Sequence, residues 1–156
     1  MVFITIIPID HPSFILTVIT EKDQLQDLGV TMSNDFVFSY QITKIVESGR
    51  SISSWILRTF TSRTQVTMLT LWKSLAIPIL EYCSVLWSPT IKGDIQNIES
   101  IQWSFIRKIQ GTSGMNYWEA LRYHNLFSLE RRRERYQILY IWKILEKLVP
   151  NISSSS

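Results

Sequence analysis

Four arginines, Arg131, Arg132, Arg133 and Arg135, fall within eight residues of the run Ser128-Leu129-Glu130-Arg131-Arg132-Arg133-Glu134-Arg135. Serine is a strong helix-capping residue, and the apolar pattern continues from Leu129 to about Val149, so the arginines are expected in the first two turns of a helix. A helix N-terminus already carries partial positive charge, and each cation placed there costs about a few tenths of a kcal/mol. Stability alone would favour carboxylates. The arrangement makes sense if an anion such as a phosphate backbone approaches that end, where guanidinium forks and free amide hydrogens both point outward. The alternative is a solvated charged face with Glu130 paired to Arg133 and Arg131 to Glu134, three residues apart. The residues alone do not choose between them.

Other cations extend the pattern. Arg107 and Lys108, Arg122, and the Arg50/Arg58 face could prolong a basic strip, and Trp103, Tyr117, Trp118 and Tyr123 interleave with these groups as candidate stacking platforms for bases. Aromatic residues at helical spacing are more often core; Trp103, off the main apolar stripe of its segment, is the strongest exception. The charge distribution agrees with a basic face. Residues 1–48 hold two lysines against six acidic groups, whereas residues 101–148 hold nine basic against four acidic groups, within a chain whose net charge is +3. Such asymmetry attracts phosphates or acidic surfaces.

The chain holds no Gly-rich phosphate loop, nucleophile elbow, His-x-x-x-His pair or adjacent Asp-Asp that would signal catalysis. Two-metal phosphoryl transfer needs clustered carboxylates, and the thirteen acidic residues are scattered singly. Cys83 is the one cysteine, which excludes an internal disulfide and a thiolate-rich zinc site, points to a reducing compartment, and in its apolar setting reads as a small core residue. His11 and His124 have no ligand-like neighbours. Neither a metal nor another cofactor is expected in this chain. Asn151-Ile152-Ser153 matches the glycosylation triplet, but no secretory signal accompanies it. Met1 to Ile19 is apolar but broken by Pro8, Asp10, His11 and Pro12, a poor signal peptide and a poor membrane span. An intracellular location, cytoplasmic or nuclear, with no membrane partner is the expectation.

The elements that must position these residues are mainly helical. Val2–Ile7, Phe14–Ile19 and Leu25–Met32, the last with Gly29 inside it, read as short strands. From about Ser39 the apolar period changes to 3.6. Ile42, Ile45, Val46, Ile52, Ile56 and Phe60 share a face of a helix from Ser39 to Phe60, with Gly49 in that stripe as a point of close helix contact. Thr64–Ile77 is a second helix with Val66, Leu69, Trp72 and Leu75 inward, kinked or ended by Pro78. Ile79–Trp87 is a third, almost wholly apolar and expected at the centre of the core. A fourth starts near Asp94, buries Ile95, Ile98, Gln102, Phe105, Ile106 and Ile109, and stops at Gly111 and Gly114; a short one spans Tyr117–Tyr123. At 156 residues and 46% hydrophobic, one domain with a real core is expected. The expected fold is mainly α, a multi-helix bundle with a short β element near the N-terminus. The expected divisions are a poorly defined segment at 1–24, a helical domain at 25–150, and a Ser-rich tail at 151–156.

Taken in order, several pieces resemble a known pattern: Asp27-Leu28-Gly29-Val30; Phe36 and Phe38 before the long helix; Leu80-Glu81-Tyr82-Cys83 with Trp87-Ser88-Pro89; Ile98-Glu99-Ser100-Ile101-Gln102; and Leu129-Glu130-Arg131-Arg132-Arg133. Their succession over residues 25–150 is similar to the region that follows the catalytic palm in LINE-type, jockey-like non-LTR retrotransposon reverse transcriptases. The chain differs from that pattern at Gln41, where a histidine is usual, and at Trp103, where a basic residue is common.

The resemblance implies a helical thumb and the part just beyond it, gripping an RNA or RNA/DNA template-primer duplex. The catalytic aspartates and their magnesium ions belong to the palm upstream, so the chain is expected to be non-catalytic alone and to need the palm and fingers as partners. Arg131, Arg132, Arg133 and Arg135, helped by Arg107, Lys108 and Trp103, are the expected nucleic-acid-binding residues. The alternative reading is a helical protein-interaction module, or a decayed element product without selected function.

Overall fold

The computed structural model describes residues 24–33 and 38–149. The chain divides into two compact units between Phe38 and Ser39. In the first unit, β1 (Gln24–Asp27) and β2 (Val30–Ser33) pair antiparallel in the register Gln24 with Ser33 and Asp27 with Val30. The single strand expected over Leu25–Met32 is therefore a hairpin. Leu28 (φ 46°) and Gly29 (φ 81°) both take left-handed backbone, the requirement of a two-residue turn whose twist matches the strands. Leucine at the first of those positions hides the turn from sequence reading. The expected strands Val2–Ile7 and Phe14–Ile19 lie outside the described residues.

The second unit is helical, as the 3.6-residue period predicts. Helix α1 (Ser39–Thr59) buries Gln41, Ile42, Ile45, Val46, Gly49, Ser53 and Ile56 on one face. Gly49 is the expected close contact: a Cβ there would sit 2.5 Å from Leu80 Cδ2 and 3.1 Å from Ile101 Cδ1. Its lack of a side chain lets α1 lie directly on α3 (Ile77–Glu81) and α5 (Lys92–Ile106), with which it makes its main contacts.

The second helix departs from expectation in face and in ending. Helix α2 (Gln65–Leu71) runs into a π turn (Trp72–Ala76) and then into α3. Residues buried along this rod are Met68, Trp72, Ala76 and Leu80, each four apart, while Val66 is exposed and Leu69 and Leu75 are half-buried. Four-residue steps drift around a pure α-helix; the wider π turn rotates the following residues back, which keeps all four on one side. Pro78 does not end the rod. It occupies the first turn of α3 just after the π turn, where a missing amide hydrogen leaves no ladder bond broken.

The expected single helix Ile79–Trp87 is instead broken. Cys83 takes left-handed backbone (φ 52°) between α3 and the short α4 (Ser84–Trp87), and it is exposed rather than a core residue. Only Ala76, Leu80, Ser84 and Trp87 of the stretch 75–87 are buried, so it supplies one stripe of the core rather than its centre. Trp87 Nε1 donates to the Tyr82 carbonyl at 2.6 Å and fixes the turn.

Helix α5 buries Ile98, Ile101, Gln102, Phe105 and Ile106, and Ile109 is buried just beyond it. Phe105 stacks on Trp72 with ring centroids 4.8 Å apart, and truncating either fully buried ring would cost about 3–5 kcal/mol. Gly111 (φ 89°) and Gly114 (φ 80°) shape the connection to α6 (Tyr117–Tyr123). Asn116 begins α6 with a capping box, its side chain accepting from Glu119 N while Glu119 accepts from Asn116 N. The last helix, α7 (Leu129–Leu145), is capped by the Ser128 hydroxyl, which accepts from Arg131 N at 3.2 Å. It ends in a Schellman turn: Lys147 is left-handed (φ 54°), and Leu148 N donates to the Lys143 carbonyl. Through its first half, α7 packs on α4 and α5.

Candidate nucleic-acid interface

The four arginines of α7 have different environments. Arg132 points back to the α3 end, forming a two-pronged ion pair with Glu81; its Nε bonds Glu81 Oε1 and its Nη2 reaches Glu81 Oε2 at 3.0 Å. The Tyr136 hydroxyl closes this group, accepting from Arg132 Nη2 and donating to Glu81 Oε2, each at 3.2 Å. The Glu81 hydrogen bond holds the Arg132 guanidinium above its ordinary range. Arg132 thus joins two elements and is largely committed to that task.

Arg133 is inside. It is 1% exposed, and its Nη1 and Nη2 have no hydrogen-bond partner. Burial pushes its pKa down, opposed first by the negative charge of Glu99 and then by Glu130 and Glu81. A surface cation was expected at this position. The helix period instead turns Arg133 inward on the same side as Leu129, four residues before it and fully buried, so it is closed off from a nucleic-acid backbone.

Glu99 explains why this helix start tolerates so many cations. Its Oε1 accepts from the Glu130 amide at 2.6 Å and its Oε2 accepts from the Tyr117 hydroxyl. The anion that the basic N-terminus of α7 calls for is thus supplied from α5, in contact with a helical amide that has no partner within its own helix. Burial, and then the bond to Glu99, raises the Tyr117 pKa far above its usual value.

Arg131 and Arg135 are the outward pair. They lie four residues apart on one exposed face, and the Arg131 guanidinium sits over the Phe127 ring, 5.7 Å from its centroid. A depression of about 650 Å³ is lined by Phe127, Arg131, Arg135 and Tyr136 among others. A neighbouring one of about 510 Å³ shares Phe127 and Arg131 with it and adds Trp118 and Arg122. Trp118, Arg122, Phe127, Arg131 and Arg135 therefore follow one another along a continuous surface, with Trp118 and Phe127 both more than half exposed.

No family model, curated protein or solved structure matches this chain. Arg107 and Lys108 follow α5, are exposed, and line neither of the depressions that hold Arg131. Trp103 is half-buried with its ring edge-on to Tyr117 at 5.8 Å, and Tyr117 in turn packs on Trp118 at 5.2 Å. Trp103 thus supports the aromatic row from behind, and Trp118 presents its open end. Phe127 was not singled out from sequence; an apolar residue just before a helix cap ordinarily reads as a packing staple. Among the described residues, no group of three or more His, Cys, Asp or Glu side chains is placed to hold a metal ion. Also among them, no helix is long and apolar enough to cross a membrane.

Proposed function

We propose that this chain binds nucleic-acid backbone without sequence preference, as the thumb-like part that follows the palm of a LINE-type reverse transcriptase. The observation that carries the reading is the exposed row Trp118, Arg122, Phe127, Arg131, Arg135. Guanidinium groups spaced along a surface meet successive phosphates, and exposed rings between them offer stacking that tolerates any base. The family origin rests on the succession of sequence pieces from Asp27 to Arg133. Within that succession, Glu81 of Leu80–Cys83, Glu99 of Ile98–Gln102 and the arginine run converge at the start of α7. In this reading the polymerase chemistry and its magnesium ions belong to the palm of the parent enzyme. The chain contributes grip on an RNA or RNA/DNA template-primer in an intracellular compartment.

Relative to the sequence expectation, the binding set narrows to Arg131 and Arg135, takes in Arg122, Trp118 and Phe127, and keeps Arg107 and Lys108 as outlying cations. Fluorescence anisotropy with a labelled oligonucleotide, repeated across salt concentrations, tests it. Arg131→Ala with Arg135→Ala should reduce the slope of log affinity against log salt by about 1.4 for a single strand, about 0.7 for each phosphate no longer neutralised. Arg58→Ala, at the C-terminal end of α1, should leave the slope unchanged. A folded chain that retains no RNA or DNA at low salt sinks the proposal.

A further inference from the structure

The exposed row does not stop at Arg135. The depression that holds Arg131 and Arg135 shares Tyr136 and Leu139 with a groove of about 550 Å³ between α7 and the α3–α4 turn. Lys143, Tyr140 and Tyr82 line that groove. It shares Pro78 and Tyr82 in turn with a depression of about 350 Å³ against α1, whose cation is Lys44. Four depressions thus join end to end, from Trp118 on α6 to Lys44 on α1. Arg122, Arg131, Arg135, Lys143 and Lys44 are spaced along them, all exposed. Among these cations stand Trp118, Phe127, Tyr140 and Tyr82, each 45% to 60% exposed. Of the two carboxylates lining the path, Glu81 is already bound by Arg132, which leaves Glu134 against five cations.

We infer that one unpaired polynucleotide strand lies along this whole track. The inference rests on the backbone-binding reading above and extends it to Tyr82, Tyr140, Lys143 and Lys44. Charge selects a polyanion, since the cations recur at intervals instead of gathering in one place. The rings select unpaired bases. In a duplex the base faces are already stacked on one another, so four exposed rings have nothing to take up, whereas a single strand offers a face at every nucleotide. The path selects the same ligand. It leaves α7, crosses the α3–α4 turn and reaches α1, and a DNA duplex, stiff over about 150 base pairs, does not bend into successive depressions. Along α7 alone, Arg131 and Lys143 stand about 18 Å apart, room for roughly five nucleotides of a stacked strand. The full track therefore takes a longer strand than the row at the start of α7 does.

Fluorescence anisotropy of the full-length chain tests it, using oligo-dT and oligo-U strands of about 6 and about 20 nucleotides and a duplex of about 20 base pairs. The long strands, RNA and DNA alike, should bind at least about 10-fold tighter than the duplex. Lys44→Ala with Lys143→Ala should lower the salt slope of the long strands by about 1.4 and leave that of the short ones unchanged. Tyr82→Ala or Tyr140→Ala should each weaken the long strands by at least about 5-fold. Lys73→Ala with Lys92→Ala removes the same charge from exposed positions outside the track and should leave the slope as it is. All these side chains are exposed, so circular dichroism should report unchanged helix content. A duplex bound as tightly as the long strands would overturn the inference and leave the row at the start of α7 standing. So would a long-strand slope indifferent to Lys44 and Lys143 while Arg131→Ala with Arg135→Ala still lowers it. A wild-type chain that binds no strand at low salt removes both readings.

Discussion

Replacing Arg133 by methionine separates a buried structural cation from a ligand-binding one. The side chain is 1% exposed and its two terminal nitrogens make no hydrogen bond, so what holds it is the field of Glu99, Glu130 and Glu81. Methionine keeps the length and removes the charge. Because Glu99 retains the Glu130 amide and the Tyr117 hydroxyl, it is not orphaned by the change. Exchanging a buried charge for a well-packed apolar group is commonly neutral or stabilising, so Arg133→Met should leave stability within about 1 kcal/mol of wild type, or raise it. The opposite perturbation, Glu99→Gln, leaves Arg133 buried without its chief counter-charge and strips the anion from the start of α7, a loss of about 3–5 kcal/mol. In the Arg133→Met background the same Glu99→Gln change should cost only about 1–2 kcal/mol, the worth of its hydrogen bonds. The coupling, about 1–4 kcal/mol, is read by urea unfolding of the four chains followed by circular dichroism. Arg133→Met should also leave the salt dependence of nucleic-acid binding unchanged. If Arg133→Met cost more than about 3 kcal/mol while Glu99→Gln cost less than about 1, the account of this charge cluster would be wrong.

Gly49→Ala should lower stability by about 1 kcal/mol in urea unfolding, because overpacking against Leu80 and Ile101 outweighs the helix preference of alanine; a gain would show that the packing of α1 on α3 and α5 is loose. His124 is buried with its Nε2 against the Thr112 hydroxyl at 2.7 Å, and burial lowers its pKa. The unfolded chain therefore takes up its proton first as pH falls, so stability contributed by neutral His124 is present above about pH 6.5 and declines below it toward the depressed folded pKa, by at most about 1.4 kcal/mol per pH unit. His124→Gln should flatten that part of the stability profile relative to wild type, and an unchanged difference between pH 5 and 7 would contradict the reading. Trp118→Ala should weaken binding of a single-stranded oligonucleotide by about 1–3 kcal/mol with little change in salt slope; an effect on slope alone would remove Trp118 from the stacking role.

The helical class and the start of α7 were legible because capping residues and a 3.6-residue period are local signals. Gly49 was legible for the same reason, being an apolar-stripe position with no side chain. The inward face of α2 was not: the π turn at Trp72–Ala76 shifts the phase of the period, and no residue type announces such a turn. Cys83 was read by the general preference of cysteine for interiors, which a left-handed turn between α3 and α4 overrides. Among the arginines, local spacing marked the cluster but not its division. Which guanidinium is tied into an ion pair, and which anion meets the helix start, depend on carboxylates far along the chain, Glu81 lying 51 residues before Arg132 and Glu99 lying 31 before Glu130. Long-range charge pairing of that kind leaves no trace in the residues around it.

The grip on α7 is concentrated at its beginning. Glu99 holds the first turn and Glu81 holds Arg132, whereas the ten residues from Tyr136 to Leu145, none of them buried, extend as a rod of about 15 Å. Such a rod is a lever with its fulcrum at the carboxylates. A load at the Leu145 end is felt as torque at Arg131 and Arg135, so whatever seats the tip of the helix also sets the angle at which the basic row meets its ligand.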